Sequence, residues 1–434
     1  MKEVFKELML EFLRDGLPDE ILSRDVPYYE SKRLATVIKG MRRTGKTFLA
    51  YGRIRELLGQ GVEPERIIHL NFDDDRLRGL RADDLKLIAE AHAELNPEFA
   101  TAPCWYFLDE LQDVEGWERY ARRLVDSPKV QLCLTGSSSR LLSAEIATEM
   151  RGRSVPIEVF PLSFREYIRF NRVFENVPKG TLTAADRGIL RHAMERYFKV
   201  GGFPAVQEMP DALRIATLQE YLHAVLYRDV LQRHEVVSVQ SLTYTLDYLL
   251  HNYARKTSVR AISGTLKNLA YPSRREDVAD YVSYFKDAYF IYSVPVLSDS
   301  LAVKRVNPEK YYVVDTGLIN AVTPKVDAEK GWKLENIVYM QLRRGLNTIH
   351  YLALGDNREV DFHVYDAQKE RSRLIQVAWN LEDSATLARE TAALIEARER
   401  TGIDDCTIVT WDTEKSLPNG IRAVPVWKWL LEEG

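Results

Sequence analysis

Cysteine is scarce in this 434-residue chain. Cys104, Cys133 and Cys406 stand far apart, and the outer two have no second cysteine or CxxC partner nearby, which excludes a disulfide framework and a zinc site. Long apolar runs are missing too: nowhere do about 18 apolar residues follow one another, as a helical membrane span requires. The amino-terminal stretch MKEVFKELMLEFLRDGLPDE mixes acids and bases at helical spacing, where a signal peptide carries an apolar core. A cytoplasmic protein without a membrane span is the expectation. Neither sign of charge dominates. With a formal net charge of -4, contact with nucleic acid has to come from a local basic patch. Internal repeats and low-complexity segments are absent. What remains is 45% hydrophobic and 29% charged, the composition of a soluble globular protein, and ~150 residues per domain suggests two or three domains.

Residues 1–14 read as an amphipathic helix. LATVIKG at 34–40, RIIHLNFDD at 66–74, CWYFLDE at 104–110, VQLCLTG at 130–136 and SVPIEVF at 154–160 then read as strands, with helices at 45–58, 83–94 and 117–126. Apolar strands without alternation, interleaved with helices, imply an α/β fold: a parallel sheet covered on both faces. From PLSFREY at 161–167 helices follow to about 253, broken by GGFP at 201–204. Residues 255–320 hold two short helices and two β-rich runs, YFIYSVPVL and KYYVVD, an order that resembles a winged helix. A second α/β unit begins with a helix at Glu335, continues through IHYLAL, EVDFHVYD, RLIQVAW and CTIVTW, and has one helix at 382–400. The expected domains are a core over 1–160, a helical lid over 161–235, a winged helix over 236–325 and a last domain over 326–434.

Gly40-Met41-Arg42-Arg43-Thr44-Gly45-Lys46-Thr47 fits G-x-x-x-x-G-K followed by Ser or Thr, between an expected strand and an expected helix. The glycines, Gly40 and Gly45, let the backbone wrap phosphates, and the helix amino terminus directs N–H groups at them. Thr44 lies inside this cradle, Lys46 is expected at the β- and γ-phosphates of ATP, and Thr47 on Mg²⁺. Arg42 and Arg43 stand where they can neutralise phosphate charge. The run ending in Asp109-Glu110 delivers two carboxylates at the carboxyl end of a strand, where ligands bind in open α/β sheets. Asp109 is expected to hold the metal through water, and Glu110 to polarise the attacking water. Thr135-Gly136-Ser137-Ser138 ends the next strand in small hydroxyl residues, and Ser137 suits a sensor of the γ-phosphate. Arg153, with Arg151 as the alternative, suits a finger reaching a neighbouring subunit's γ-phosphate.

The residues GMRRTGKT at 40–47, FLDELQ at 107–112, LTGSSS at 134–139, Arg151-Gly152-Arg153, PLSFREY, GGFP, LENIVYMQLRR at 334–344 and EVDF at 359–362 together resemble a family of prokaryotic AAA-type ATPases. Its members carry a P-loop domain, a helical lid, a winged helix and a nuclease-like domain. The resemblance covers nearly the whole chain. It implies a Walker B strand two places from the Walker A strand and an Arg153 finger that requires a homo-oligomer.

Glu335, Asp361 and Gln376 stand in the order of PD-(D/E)xK nucleases, but Gln376 replaces a metal-binding carboxylate and Ala378 the lysine. A neutral amide binds a hard cation poorly, so this end is expected to keep the fold without the catalysis, unless a lysine such as Lys369 is supplied from another element. Arg255, Lys256, Arg260, Lys267, Arg274 and Arg275 form a basic stretch with no acid, an electrostatic footprint for DNA. Ser273 to Glu276 reads as a capping box opening the second helix there. The expected function is Mg²⁺-dependent ATP hydrolysis by an oligomeric switch or motor on DNA. The alternatives are an ATP-gated scaffold for a protein client and an ATP-coupled nuclease.

Overall fold

The five apolar runs become strands, buried on both faces in β1, β3 and most of β4: β1 (Ala35–Lys39), β2 (Ile67–Asn71), β3 (Cys104–Asp109), β4 (Val130–Gly136) and the more open β5 (Ser154–Glu158). All are parallel, in the order β2-β3-β4-β1-β5, so β4 separates β3 from β1. Successive side chains point to opposite faces. Val37 accordingly packs in one apolar layer with Phe5, Leu70, Ile88 and Trp117, while Ile38 packs in the other with Leu49, Ile54 and Leu57. The first layer takes α1 (Lys2–Asp15), α3 (Leu87–Leu95) and α4 (Trp117–Asp126), and the second takes α2 (Lys46–Gly59). This computed structural model describes residues 1–31, 33–137, 152–174, 182–323, 330–345, 347–355 and 358–433, apart from the side chains of 305 and 306. Among them no helix is long and apolar enough to cross a membrane.

The chain divides into two compact units, one of Met1–Phe160 with Asp287–Tyr289 and one of Pro161–Lys286 with Phe290–Gly434. The second unit starts with helices α5 (Phe164–Phe170), α6 (Ala184–Val200), α7 (Asp211–Ala224) and α8 (Val239–His251). The motifs PLSFREY and GGFP meet here. Ser163 and Glu166 cap α5 reciprocally, and Glu166 is paired with Arg344. Gly201 and Gly202 are obligatory for a close approach: a Cβ on Gly202 would lie 2.4 Å from the Leu162 carbonyl oxygen, and one on Gly201 would lie 2.0 Å from Asp315. The Asp315 carboxylate accepts from the Gly202 and Gly317 amides at 2.6 and 2.8 Å.

Next come β6 (Lys256–Thr257), α9 (Val259–Asn268), α10 (Arg275–Asp287), β7 (Ile291–Val294), α11 (Leu301–Val306) and β8 (Glu309–Val313), with an antiparallel sheet in the order β6-β8-β7. The expected polar loop between the last two strands contains a helical turn, α11. The cap of α10 also differs from expectation. Asp277, not Glu276, reaches back to accept from the Arg274 amide at 2.7 Å, and the buried Ser273 hydroxyl has no partner. The reason is register: the helix starts at Arg275, so the carboxylate three residues after Arg274 is the one within reach.

After α12 (Thr316–Val322) and α13 (Lys330–Arg344), a mixed sheet is built from β9 (Asn347–Ala353), β10 (Glu359–Asp366), β11 (Arg371–Ala378), β12 (Cys406–Thr410), β13 (Lys415–Ser416) and β14 (Arg422–Pro425). Its order is β13-β14-β12-β11-β10-β9, with α14 (Ser384–Thr401) and α15 (Val426–Glu432) alongside. β13, β14 and α15 were not expected from the sequence, because they are short and weakly patterned.

Candidate functional site

Gly40 ends β1 with φ +143°, and a Cβ there would sit 2.2 Å from the Val159 carbonyl oxygen, so only glycine can begin the loop. Arg43 and Gly45 take left-handed conformations, which turn the chain back into α2 at Lys46. The Thr44 hydroxyl is turned inward to the Met41 carbonyl at 2.9 Å, so Thr44 offers a ligand its backbone only. Arg24, which the sequence did not single out, holds the loop from outside: its guanidinium donates to the Thr44 carbonyl at 2.8 Å and to the Phe160 carbonyl at 2.7 Å. Nothing in the residues around Arg24 signals this, because the contact is made by chain folding over 20 and 136 residues of separation.

The two acids of β3 have different settings. Asp109 is buried, accepts from the Thr47 hydroxyl at 2.6 Å and from the Thr135 hydroxyl, and burial pushes its pKa up to about 6. Thr135 faces it because Asp109 and Thr135 are register partners in β3 and β4. Glu110 follows in a left-handed conformation, φ +56°, a costly choice for a residue with a Cβ and one that recurs at functional sites. Its carboxylate accepts from the Ser137 amide and hydroxyl at 3.3 and 3.2 Å and from the Gln112 side chain, and lies 3.7 Å from the Lys46 ammonium. Lys46 also donates to the Met41 carbonyl at 3.2 Å. Ser137 thus orients Glu110. Gln112 is a further site residue that the motif alone did not assign, and Thr135, one of the hydroxyl residues ending β4, turns to Asp109.

Arg42 is paired with Asp73 at 3.7 Å, and Arg43 is exposed. Arg153 does not belong to this cluster. It precedes β5 at the amino-terminal end of the strands, whereas the phosphate loop follows the carboxyl end of β1 roughly 13 Å away, and it pairs with Asp126 at the end of α4. Arg151 and Ser138 lie outside the described residues.

Residues 32–168 match the model of an AAA domain, and residues 191–329 match that of a domain of unknown function. An uncharacterized protein of Methanocaldococcus jannaschii is 32% identical over 99% of this chain and 96% of its own length. The chain belongs to the same family. An uncharacterized protein of Haemophilus influenzae is 26% identical over 91% of the chain and 94% of its own length, and the AAA-domain match makes this chain an AAA-type P-loop ATPase. Among solved structures, the Aeropyrum pernix ORC1 protein in complex with DNA is 15% identical, covering 75% of this chain and 91% of its own, with a TM-score of 0.26. Cdc6p from Pyrobaculum aerophilum is 11% identical, covering 78% and 94%, also with a TM-score of 0.26. Both likenesses are too loose to carry a functional argument.

A second cluster forms in the other unit, where Glu335 of α13, Asp361 of β10 and Gln376 of β11 do come together, all buried. The Gln376 amide accepts from the Asp361 amide at 3.0 Å and donates to Glu390 at 2.7 Å. Lys369 is not part of it, being exposed and paired with Asp366 at 3.5 Å. The lysine present is Lys310 of β8, which the sequence reading missed because it sits far upstream in another sheet. Burial pushes the Glu335 carboxyl above its ordinary value against the pull of Lys310, while the surrounding carboxylates hold Lys310 well above its usual value against the effect of its own burial.

Proposed function

We propose that this AAA-family chain hydrolyses ATP with Mg²⁺ and works as a homo-oligomeric switch or motor on DNA. The observation that carries the first part is the meeting of Thr47 with Asp109 at 2.6 Å beside Lys46 and Glu110 at 3.7 Å. Thr47 and Asp109 present oxygen donors only, the set that suits a hard cation, and they would hold Mg²⁺ there, which neutralises charge on the phosphates. Lys46 leaves its Met41 and Glu110 contacts to donate to the β- and γ-phosphates. Glu110, held by Ser137 and Gln112, accepts a proton from the attacking water and orients it. Gly40, Gly45 and the backbone of Thr44 wrap the phosphates, while Arg42 and Arg43 border them. The placement of Arg153 away from its own loop supports a finger offered to a neighbouring subunit.

The order of strand, two helices and two strands split by the short α11 over 256–313 supports the winged-helix reading. Arg260, Lys267, Arg274 and Arg275 are exposed there, with the Arg274 side chain 77% exposed beside its Asp277 partner, whereas Arg255 stacks on Trp332 at 3.4 Å and the Lys256 side chain, 33% exposed, is held by Glu359. The DNA-facing patch is therefore the first four. The convergence of Glu335, Asp361 and Gln376 supports a nuclease-like last domain that does not cut. The test is steady-state ATP turnover with and without duplex DNA, with mass by light scattering under each condition. Turnover that needs Mg²⁺ and responds to DNA is expected, and a DNA-indifferent rate together with no retention on DNA would move the client to a protein.

A further inference from the structure

The Lys310 side chain is 2% exposed, and its ammonium lies 2.9 Å from an oxygen of each of Glu335, Glu359 and Asp361. Of its three N–H donors, one goes to Glu335 and one to Asp361, and Glu359 completes the set as an ion pair. Two of the remaining oxygens face a donor or a cation as well. The Val377 amide donates to the second Asp361 oxygen at 2.9 Å and Lys256 lies 2.5 Å from the second Glu359 oxygen, while Tyr312 donates at 2.7 Å to the same Glu335 oxygen as Lys310. Glu390, which borders the cluster, is paired with Arg389 at 2.5 Å. Three cations thus face four carboxylates without any added ion.

A nuclease-like arrangement implies a divalent metal at this point, and the residues do not fit one. Mg²⁺ needs about six oxygens at roughly 2.1 Å in a near-octahedral set, and the oxygens that converge here converge on nitrogen. Gln376 has its amide oxygen turned to backbone. Among the described residues no group of three or more His, Cys, Asp and Glu is arranged to hold a metal ion.

We propose that the Lys310 ammonium is the resident cation of this cluster, standing where a metal would otherwise stand, and that it joins β8 to α13 and β10 as a fixed ionic tie. Only the comparison with a metal rests on the nuclease-like reading, and ATP turnover has no part in it. Removing the ammonium leaves like charges facing one another, a vacancy that a divalent cation can fill.

The experiment is Mn²⁺ titration followed by electron paramagnetic resonance, without nucleotide, on the full chain. The parent and Asp361→Asn are expected to bind the same number of ions. Lys310→Met is expected to gain one Mn²⁺ per chain, with affinity at least about tenfold above the parent's at that site, and to lose it again in the Lys310→Met, Asp361→Asn double variant. Thermal unfolding should show Lys310→Met stabilised by Mn²⁺ and the parent indifferent. Folded Lys310→Met that gains no ion would count against the proposal. So would an Asp361-dependent ion in the parent, and this arm decides the matter even if Lys310→Met does not fold. Cleavage of supercoiled plasmid by the parent that disappears in both Asp361→Ala and Lys310→Met would overturn it outright, because the lysine would then be catalytic.

Discussion

Glu110 and Lys46 lie 3.7 Å apart, yet the proposed hydrolysis gives them separable tasks. Glu110→Gln keeps the loop and its amide can still meet Ser137, but it cannot accept a proton from water. Turnover should fall ~10²–10⁴-fold with ATP affinity kept, whereas Lys46→Ala should weaken ATP binding itself. Filter binding and single-turnover assays on both variants separate the two effects, and a Glu110→Gln protein at the parental rate would remove Glu110 from the role of base. His69 offers a different residue-scale test. It stacks on Phe12 at 4.8 Å, leaves Nε2 without a partner, and burial lowers its pKa from 6.5 to about 4. A histidine with a depressed folded pKa contributes stability that is present above 6.5 and lost as pH falls toward 4. Chemical denaturation from pH 7 to 4 should therefore show His69→Phe losing less stability than the parent, by up to about 3 kcal/mol. Parallel pH curves would contradict this.

At the scale of elements, the backbone crossing at Gly202 is the tightest constraint in the second unit. The new methyl of Gly202→Ala meets the Leu162 carbonyl, a backbone atom that cannot swing aside, so α6 and the segment before α5 must separate. A loss of roughly 1–3 kcal/mol is expected in equilibrium unfolding, while Gly188→Ala, on the open face of α6 with nothing within 4 Å, should cost nothing. On α10, Arg274 and Arg275 are exposed at its start, and reversing both charges should weaken DNA binding and flatten its salt dependence by ~0.9 log units per lost phosphate contact. Fluorescence anisotropy across a salt series measures both, and an unchanged slope would place the contact elsewhere.

For the molecule as a whole, the location of Arg153 separates a self-contained enzyme from an assembled one. Its position before β5, at the strand end away from its own loop, leaves it nothing to do in its own site. Arg153→Ala should bind ATP normally and hydrolyse slowly, and parental turnover per subunit should rise with protein concentration. A flat rate through dilution to a monomer proven by light scattering would exclude a finger in trans. Mixing Arg153→Ala with Glu110→Gln should restore part of the activity, because some interfaces then combine an intact base with an intact arginine.

The phosphate loop, the acids of β3 and the parallel sheet were legible in the sequence because each depends on neighbours within a few residues. Glycine spacing, apolar runs and a strand ending in carboxylates are local signals, and the strand order followed from the family resemblance. Arg24 over the loop, Thr135 against Asp109, Gln112 on Glu110 and the Asp315 contact that demands two glycines were not legible, since pairing between distant segments leaves no spacing to read. Lys310 is the clearest case. The sequence by itself determined that Glu335, Asp361 and Gln376 lack a lysine at Ala378, while the tertiary structure alone decided that another sheet supplies an ammonium among those carboxylates, because buried charge is balanced by whatever cation the fold brings within reach.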